Sequence, residues 1–434
     1  MRFFYVYEME IKELYELYQT HPEVSTDTRV IKKNSLFFAL KGENFNGNQF
    51  AKEAIEKGAK YVIIDEEEFL FSDQCILVDD VLKTLQNLAN HHRKQLSIPV
   101  IGITGTNGKT TTKELINSVL SKKYKTIATR GNFNNHIGVP LTLLQIPNDC
   151  ELAIIEMGAN HIGEIAALCK IAEPSHGIIT NIGKAHIEGF GSKEGVIKTK
   201  SELYLFIKEN DGKIFINKED QLLLTLAKNI HQYSYGNNDA NCNATLISSS
   251  PFVQLKWNNH TILSQLYGKY NFNNILAAIC IGDFFNVAAS DIINAIEEYT
   301  SSNNRSEIVT IKTNTYYLDA YNANPSSMNA AVETFIENDA ENKLMILGDM
   351  LELGKTSEEE HQNMVNKVKA SEINTVFVGT EFKKVKEKHN FFYCSNYQEA
   401  VDYLINNNIE NTHLLIKGSR GIQLEKIIEC LKKN

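Results

Sequence analysis

The feature that most constrains this chain is Val100-Ile101-Gly102-Ile103-Thr104, an apolar run that passes directly into Gly105-Thr106-Asn107-Gly108-Lys109-Thr110-Thr111 and then a helix-like segment. A run this apolar suits a strand buried on both faces, and such strands belong to parallel sheets covered by helices. A glycine loop between that strand and a helix presents backbone N–H groups at the helix N-terminus, where they can cradle phosphate. Lys109 adds positive charge, and Thr110 offers a hydroxyl to Mg²⁺. The loop has the short G-x-x-G-K-T form, because Ile103 stands where the longer pattern has its first glycine.

The rest of the chain repeats this alternation of short apolar runs and helical patterns. Tyr61–Asp65, Cys75–Val78, Leu152–Ile155, Gly177–Thr180 and Lys213–Ile216 read as strands, as do Tyr316–Leu318, Leu344–Leu347, Thr375–Val378 and Leu414–Ile416. Val81–Gln95 and Ile275–Phe285 read as helices, and residues 237–266 as a β-rich stretch. Ser97-Ile98-Pro99 marks a break, since proline disfavours helix in the residue before it. At 434 residues the chain has room for several cores. The expected class is α/β, in three domains at residues 1–97, 98–303 and 304–434, the last Rossmann-like.

A net charge of −9 leaves no basic excess for broad nucleic-acid binding, so an anionic substrate needs a locally basic pocket. Seven scattered cysteines without a C-x-x-C pair fit a reducing compartment better than a disulfide framework. No apolar run reaches the ~18 residues of a membrane span. The acidic N-terminal stretch lacks the form of a secretory signal, so a cytoplasmic location is expected.

Three further residues carry chemistry. Glu156 follows Leu152-Ala153-Ile154-Ile155 and so stands at the carboxyl edge of the sheet, as a magnesium ligand or a plain strand-end acid. Lys200 shares a helix face with Val196, Leu203 and Ile207. A lysine there either snorkels to a partner or has a lowered pKa that frees it for another task. His186, in the loop after Gly177–Asn181, is a surface histidine or a second metal ligand.

In order along the chain, the Gly105–Thr112 loop, Ile155–His161, His186–Gly191 and Lys200–Leu203 resemble the Mur ligases of peptidoglycan synthesis. Asp27-Thr28-Arg29, Asn134–Pro140, Asp319–Pro325, Leu347–Gly354 and Lys417–Gly421 extend the resemblance across residues 25–425. It implies a UDP-binding domain, a central ATPase domain and a C-terminal Rossmann-like domain. It further implies ATP, two Mg²⁺ ions and the substrates UDP-N-acetylmuramoyl-tripeptide and D-alanyl-D-alanine; a monomer without a nucleic-acid partner is expected. On this resemblance Lys109, Glu156, His186 and Lys200 are catalytic. Thr110 and Glu156 hold one metal; His186 and Lys200, carbamylated by CO₂, serve the other. Gly105 to Thr111, Asn274, Arg305 and Asp319 hold the nucleotide. Thr26, Asp27, Thr28 and Arg29 lie near UDP, and Asn134, Asn135, Tyr321, Asn322 and Asn324 face the cleft. The sequence departs from the family at Asn46-Gly47-Asn48, where D-G-H is usual, and at Gly268-Lys269-Tyr270-Asn271, where G-x-H-N is usual. Another Mur-type or folylpolyglutamate-type amide ligase, or a non-ligating ATPase, is the alternative.

Overall fold

The computed structural model describes residues 9–184, 187–237, 239–301, 304–385 and 391–433. They form an α/β structure with three main sheets. In the first, the strands Val24–Ser25, Leu36–Phe38, Tyr61–Ile64 and Cys75–Leu77 are all parallel. The second runs, in spatial order, Thr126–Ala128, Leu152–Glu156, Val100–Thr104, His176–Ile179, Lys213–Asn217, His231–Gly236 and Cys242–Ser248, all parallel. Gln254–Trp257 and His260–Leu263 continue it antiparallel, the β-rich stretch expected from sequence. In the third sheet the order is Glu307–Ile311, Asn314–Asp319, His413–Lys417, Lys343–Gly348, Asn374–Val378 and Phe392–Cys394, antiparallel only at its first pair.

The two-residue period of a strand explains why the central runs are apolar throughout. Leu152 and Ile154 pack into the core on one face of the sheet with Leu115, Ile116 and Ile275, whereas Ala153 and Ile155 pack on the other with Leu168 and Leu203. Met345 and Leu347 are likewise separated from Leu344 and Ile346 in the third sheet. The helix Val81–Gln95 has the bounds expected from sequence, and Asp80 caps it by accepting from Lys83 N–H at 2.8 Å. Its Leu85 and Leu88 share a core with Val139, Leu143 and Leu168, so it joins the first sheet to the second.

The seven cysteines are free. Among the described residues no helix is long and apolar enough to cross a membrane. The carboxyl ends of Val100–Thr104, Leu152–Glu156 and His176–Ile179 face those of Asn314–Asp319 and His413–Lys417 across one cavity of about 770 Å³. That edge is where open α/β sheets collect ligands.

Candidate active site

The floor of the cavity is the loop Gly105–Gly108, followed by the helix Lys109–Leu120. Two glycines are required here by geometry. Gly105 has φ +144°, and a Cβ on it would lie 2.0 Å from Thr180 Oγ1; Gly108 has φ +79°, and a Cβ would lie 2.6 Å from Asn274 Oδ1. Asn181 braces the loop from the next strand end. Its Oδ1 accepts from Asn107 N–H at 3.0 Å and its Nδ2 donates to Asn107 O at 2.9 Å. Lys109 Nζ donates to Gly105 O at 2.8 Å and Thr106 O at 3.1 Å, so the side chain curls over the loop. Burial holds the Lys109 pKa below the usual lysine value, and Arg305 acts in the same direction.

Behind the loop, Glu156 Oε1 accepts from Thr110 Oγ1 at 3.2 Å and from Asn134 Nδ2 at 2.8 Å. Its Oε2 is buried without a hydrogen-bond partner. The nearest cation is Lys113 Nζ, 3.9 Å away, which itself donates to Thr129 O at 2.6 Å. An orphaned carboxylate oxygen next to a threonine hydroxyl fits a magnesium ion that takes its remaining ligands from water and phosphate. Among the described residues no group of three or more His, Cys, Asp or Glu could hold a metal on its own.

Lys200 lies on the helix Lys193–Glu209, whose Ser192 cap accepts from Gly195 N–H at 3.2 Å. Its side chain is 3% exposed and still borders the cavity, with Nζ 5.5 Å from the Phe190 ring centroid. Burial, then the charge of Lys109, pulls its pKa down to about 7. Among the described residues nothing pairs with its amine by hydrogen bond or salt bridge. His186 lies outside the described residues.

The opposite wall comes from the third sheet. Asn324 caps the helix Pro325–Ile336, and its Nδ2 donates to Asn107 Oδ1 at 2.8 Å, tying this wall to the glycine loop. Lys184 adds two links, from its backbone N–H to Ser326 Oγ at 2.9 Å and from Nζ to Glu360 Oε1 at 2.8 Å. Asp319 Oδ2 pairs with buried Lys417 at 2.6 Å. Arg305 Cζ lies over the Tyr321 ring, 3.5 Å from its centroid. Asn274 Oδ1 accepts from Thr112 Oγ1 at 3.1 Å, and its Nδ2 donates to Asn271 Oδ1 at 2.9 Å. Tyr270, where the family pattern has histidine, bonds through its hydroxyl to Ser306 Oγ at 3.0 Å.

The cavity thus brings together Gly105 to Thr111, Asn134, Asn135, Glu156, Lys200, Asn274, Arg305, Asp319, Tyr321, Asn322 and Asn324. Asn135 and Asn322 border it but also serve the backbone: Asn135 Oδ1 accepts from Gly138 N–H at 2.9 Å, and Asn322 Oδ1 from Ala323 N–H at 2.9 Å. Thr26 to Arg29 are not brought there. Arg29 instead pairs with Asp27, Nη2 to Oδ2 at 2.6 Å, and holds that carboxyl's pKa down to about 2. Asn46 and Asn48 form a separate network in which Asn48 Nδ2 donates to Asp65 Oδ1 at 2.8 Å. Sequence reasoning passed over Lys113, Asn181 and Lys417 as site residues. Lys113 shares the helical face of Ile116 and Leu120, the same signal that singles out Lys200.

Three family models match the chain in tandem: "Mur ligase family, catalytic domain" over residues 22–102, "Mur ligase middle domain" over 103–282 and "Mur ligase, glutamate ligase domain" over 304–420. The UDP-N-acetylmuramoyl-tripeptide–D-alanyl-D-alanine ligase of Bacillus subtilis is 35% identical over 424 residues, which cover 94% of this chain and 92% of that protein. The chain belongs to the Mur ligase family. Solved Mur ligase structures share its architecture. MurF from Acinetobacter baumannii, at 30% identity, superposes with a TM-score of 0.85 and covers 95% of this chain and 93% of that one. MurF from Thermotoga maritima, solved with ADP, gives 0.84 at 25% identity, covering 95% and 97%. The fold class and family expected from sequence are borne out, and this Mur ligase is an enzyme of the ligase class.

Proposed function

We propose that this Mur ligase joins D-alanyl-D-alanine to UDP-N-acetylmuramoyl-tripeptide with ATP, forming ADP, in the cytoplasmic synthesis of peptidoglycan precursors. The observation that carries the reading is the meeting of the phosphate loop and the Asp319–Asn324 strand end over one cavity, with Thr110 and Glu156 at its base. The activity for which the B. subtilis relative is named and the ADP-bound T. maritima structure support it.

In the first step a tripeptide carboxylate oxygen bonds to the γ-phosphorus of ATP, and the bond to ADP breaks. In the second, the dipeptide amine attacks the acyl carbonyl, loses a proton, and inorganic phosphate leaves with the carboxylate's oxygen. Two anions must approach in the first step, so fixed positive charge is the main requirement. Loop N–H groups and Lys109 would hold the phosphates, Arg305 would add charge, and Asn274 and Asp319 would hold the nucleoside. Asn134 orients Glu156, while Asn135, Tyr321, Asn322 and Asn324 shape the substrate cleft.

Thr110 and Glu156 would hold one Mg²⁺, and His186 with Lys200 carbamylated by CO₂ would hold a second. Bound there, the ions would supply charge neutralisation to the phosphates. A pKa near 7 supports the carbamate, because only the neutral amine adds CO₂. Thr26 to Arg29 would contact the UDP moiety from the first sheet. We also propose domain limits at residues 1–97, 98–303 and 304–434, and a monomer.

The test is phosphate release with ATP, Mg²⁺ and UDP-N-acetylmuramoyl-tripeptide, with and without D-alanyl-D-alanine. Release that requires both substrates, with a product heavier by one dipeptide unit, is expected. Release indifferent to both would leave only an ATPase.

A further inference from the structure

Two guanidinium groups bear on one tyrosine ring at the edge of the cavity. Arg305 Cζ lies 3.5 Å from the Tyr321 centroid and Arg420 Cζ 5.4 Å from it. Arg420 Nη1 also donates to the Tyr321 hydroxyl at 3.4 Å, whereas Arg305 Nε is buried with no hydrogen-bond partner. Among the described residues neither arginine has a carboxylate within 4.0 Å. Like charges gathered without a counter-ion are unfavourable until an anion arrives.

Apart from Lys200, which is buried, the other cations near the cavity are engaged. Lys417 is paired with Asp319, Lys184 with Glu360, and Lys109 with carbonyls of its own loop. Arg305 acts electrostatically on Lys109 and Lys113, which places its charge on the phosphate-loop side. Arg420 is exposed, and its partner here is the neutral Tyr321 hydroxyl. It lies three residues after Lys417, on the turn that follows the strand His413–Lys417.

We infer that Arg420 binds the free carboxylate of the incoming dipeptide, with Tyr321 holding the guanidinium toward the cavity; this rests on the ligase reading above. A dipeptide carries its amine and its carboxylate at opposite ends, at most ~7 Å apart when extended. Anchoring the carboxylate at the rim therefore directs the amine into the cavity, where the acyl phosphate forms. A planar fork suits a carboxylate better than a lysine ammonium does, because it can donate two parallel hydrogen bonds.

The experiment compares D-alanyl-D-alanine with its C-terminal amide in the parent, Arg420→Gln and Arg420→Lys, with ATP and the UDP-linked substrate saturating. The parent should prefer the free acid by roughly a hundredfold in kcat/KM, the scale of losing a charged partner in a recognition site. Arg420→Gln should lose that preference by failing on the acid while keeping its rate on the amide. Arg420→Lys should restore part of it, and KM for ATP and the UDP-linked substrate should stay within about twofold. Equal losses on acid and amide, or a shift in KM for the UDP-linked substrate instead, would overturn the assignment. A parent that ligates the dipeptide without distinguishing acid from amide would overturn it too. A parent that ligates neither amine would instead overturn the ligase reading on which the assignment stands.

Discussion

The cavity floor and the Thr26–Arg29 turn are both expected from sequence to touch ligand, and they are built in opposite ways. At the floor several polar groups are fixed by neighbours from another strand or helix. Thr110 and Asn134 converge on Glu156, Asn181 and Asn324 on Asn107, and Asn274 on the start of the following helix. Glu156 Oε2 and Lys200 remain buried and uncommitted. At the turn, Arg29 and Asp27 satisfy each other in solvent, two residues apart. Buried polar groups left without partners are costly, so their persistence at the floor points to a ligand that completes them. An exposed local pair needs no such completion.

The comparison can be broken most forcefully at Lys109. Lys109→Ala should lower turnover a hundred- to a thousandfold, about 3 to 4 kcal/mol of transition-state stabilisation, with the fold retained. Activity within a few-fold of the parent, measured by phosphate release, would remove the loop from the chemistry.

Lys200 comes next. Lys200→Ala should lose at least about a hundredfold in rate, and a small carboxylate added to the assay should recover part of it by supplying the missing anion. The pH dependence has a definite sign. The folded pKa, about 7, lies below the usual lysine value of 10.5, so the cost of the buried charge is fully present below pH 7 and is relieved as pH rises from 7 toward 10.5, while the folded amine becomes neutral as pH passes 7. Carbamate loading, followed by carbon NMR with labelled bicarbonate, should therefore rise between pH 6 and pH 8 and be absent from Lys200→Ala. Loading that falls over this range would contradict the assignment.

The smallest effect belongs to the turn. Arg29→Ala should leave KM for ATP unchanged and raise KM for the UDP-linked substrate by no more than about threefold, as for an exposed pair. A tenfold or larger rise would show that the turn closes on substrate and remove its contrast with the cavity floor.

What could be read in advance follows the same division. Strands buried on both faces are continuous apolar runs, so Val100–Thr104 was legible to the residue and Leu152–Glu156 to within one. Leu36–Phe38 is short and His231–Gly236 polar at its start, so neither stands out as a strand in the sequence. The glycine loop was legible because its backbone geometry is set within one contiguous segment. Asn324 bonding to Asn107 was not, because the partners are 217 positions apart and only the packing of the third sheet on the second brings them together. Lys113 carried a readable signal, a lysine within an apolar helical face, whereas its proximity to Glu156 is a product of the fold.

The central claim is that this cavity activates a carboxylate by phosphorylation, and following oxygen tests it most directly. UDP-N-acetylmuramoyl-tripeptide carrying ¹⁸O in its terminal carboxylate is turned over with ATP and D-alanyl-D-alanine, and the released phosphate is analysed by mass. One labelled oxygen in the phosphate is the predicted result, since the bridging oxygen of the acyl phosphate leaves with phosphorus. Phosphate free of label, formed alongside the amide product, would contradict the mechanism.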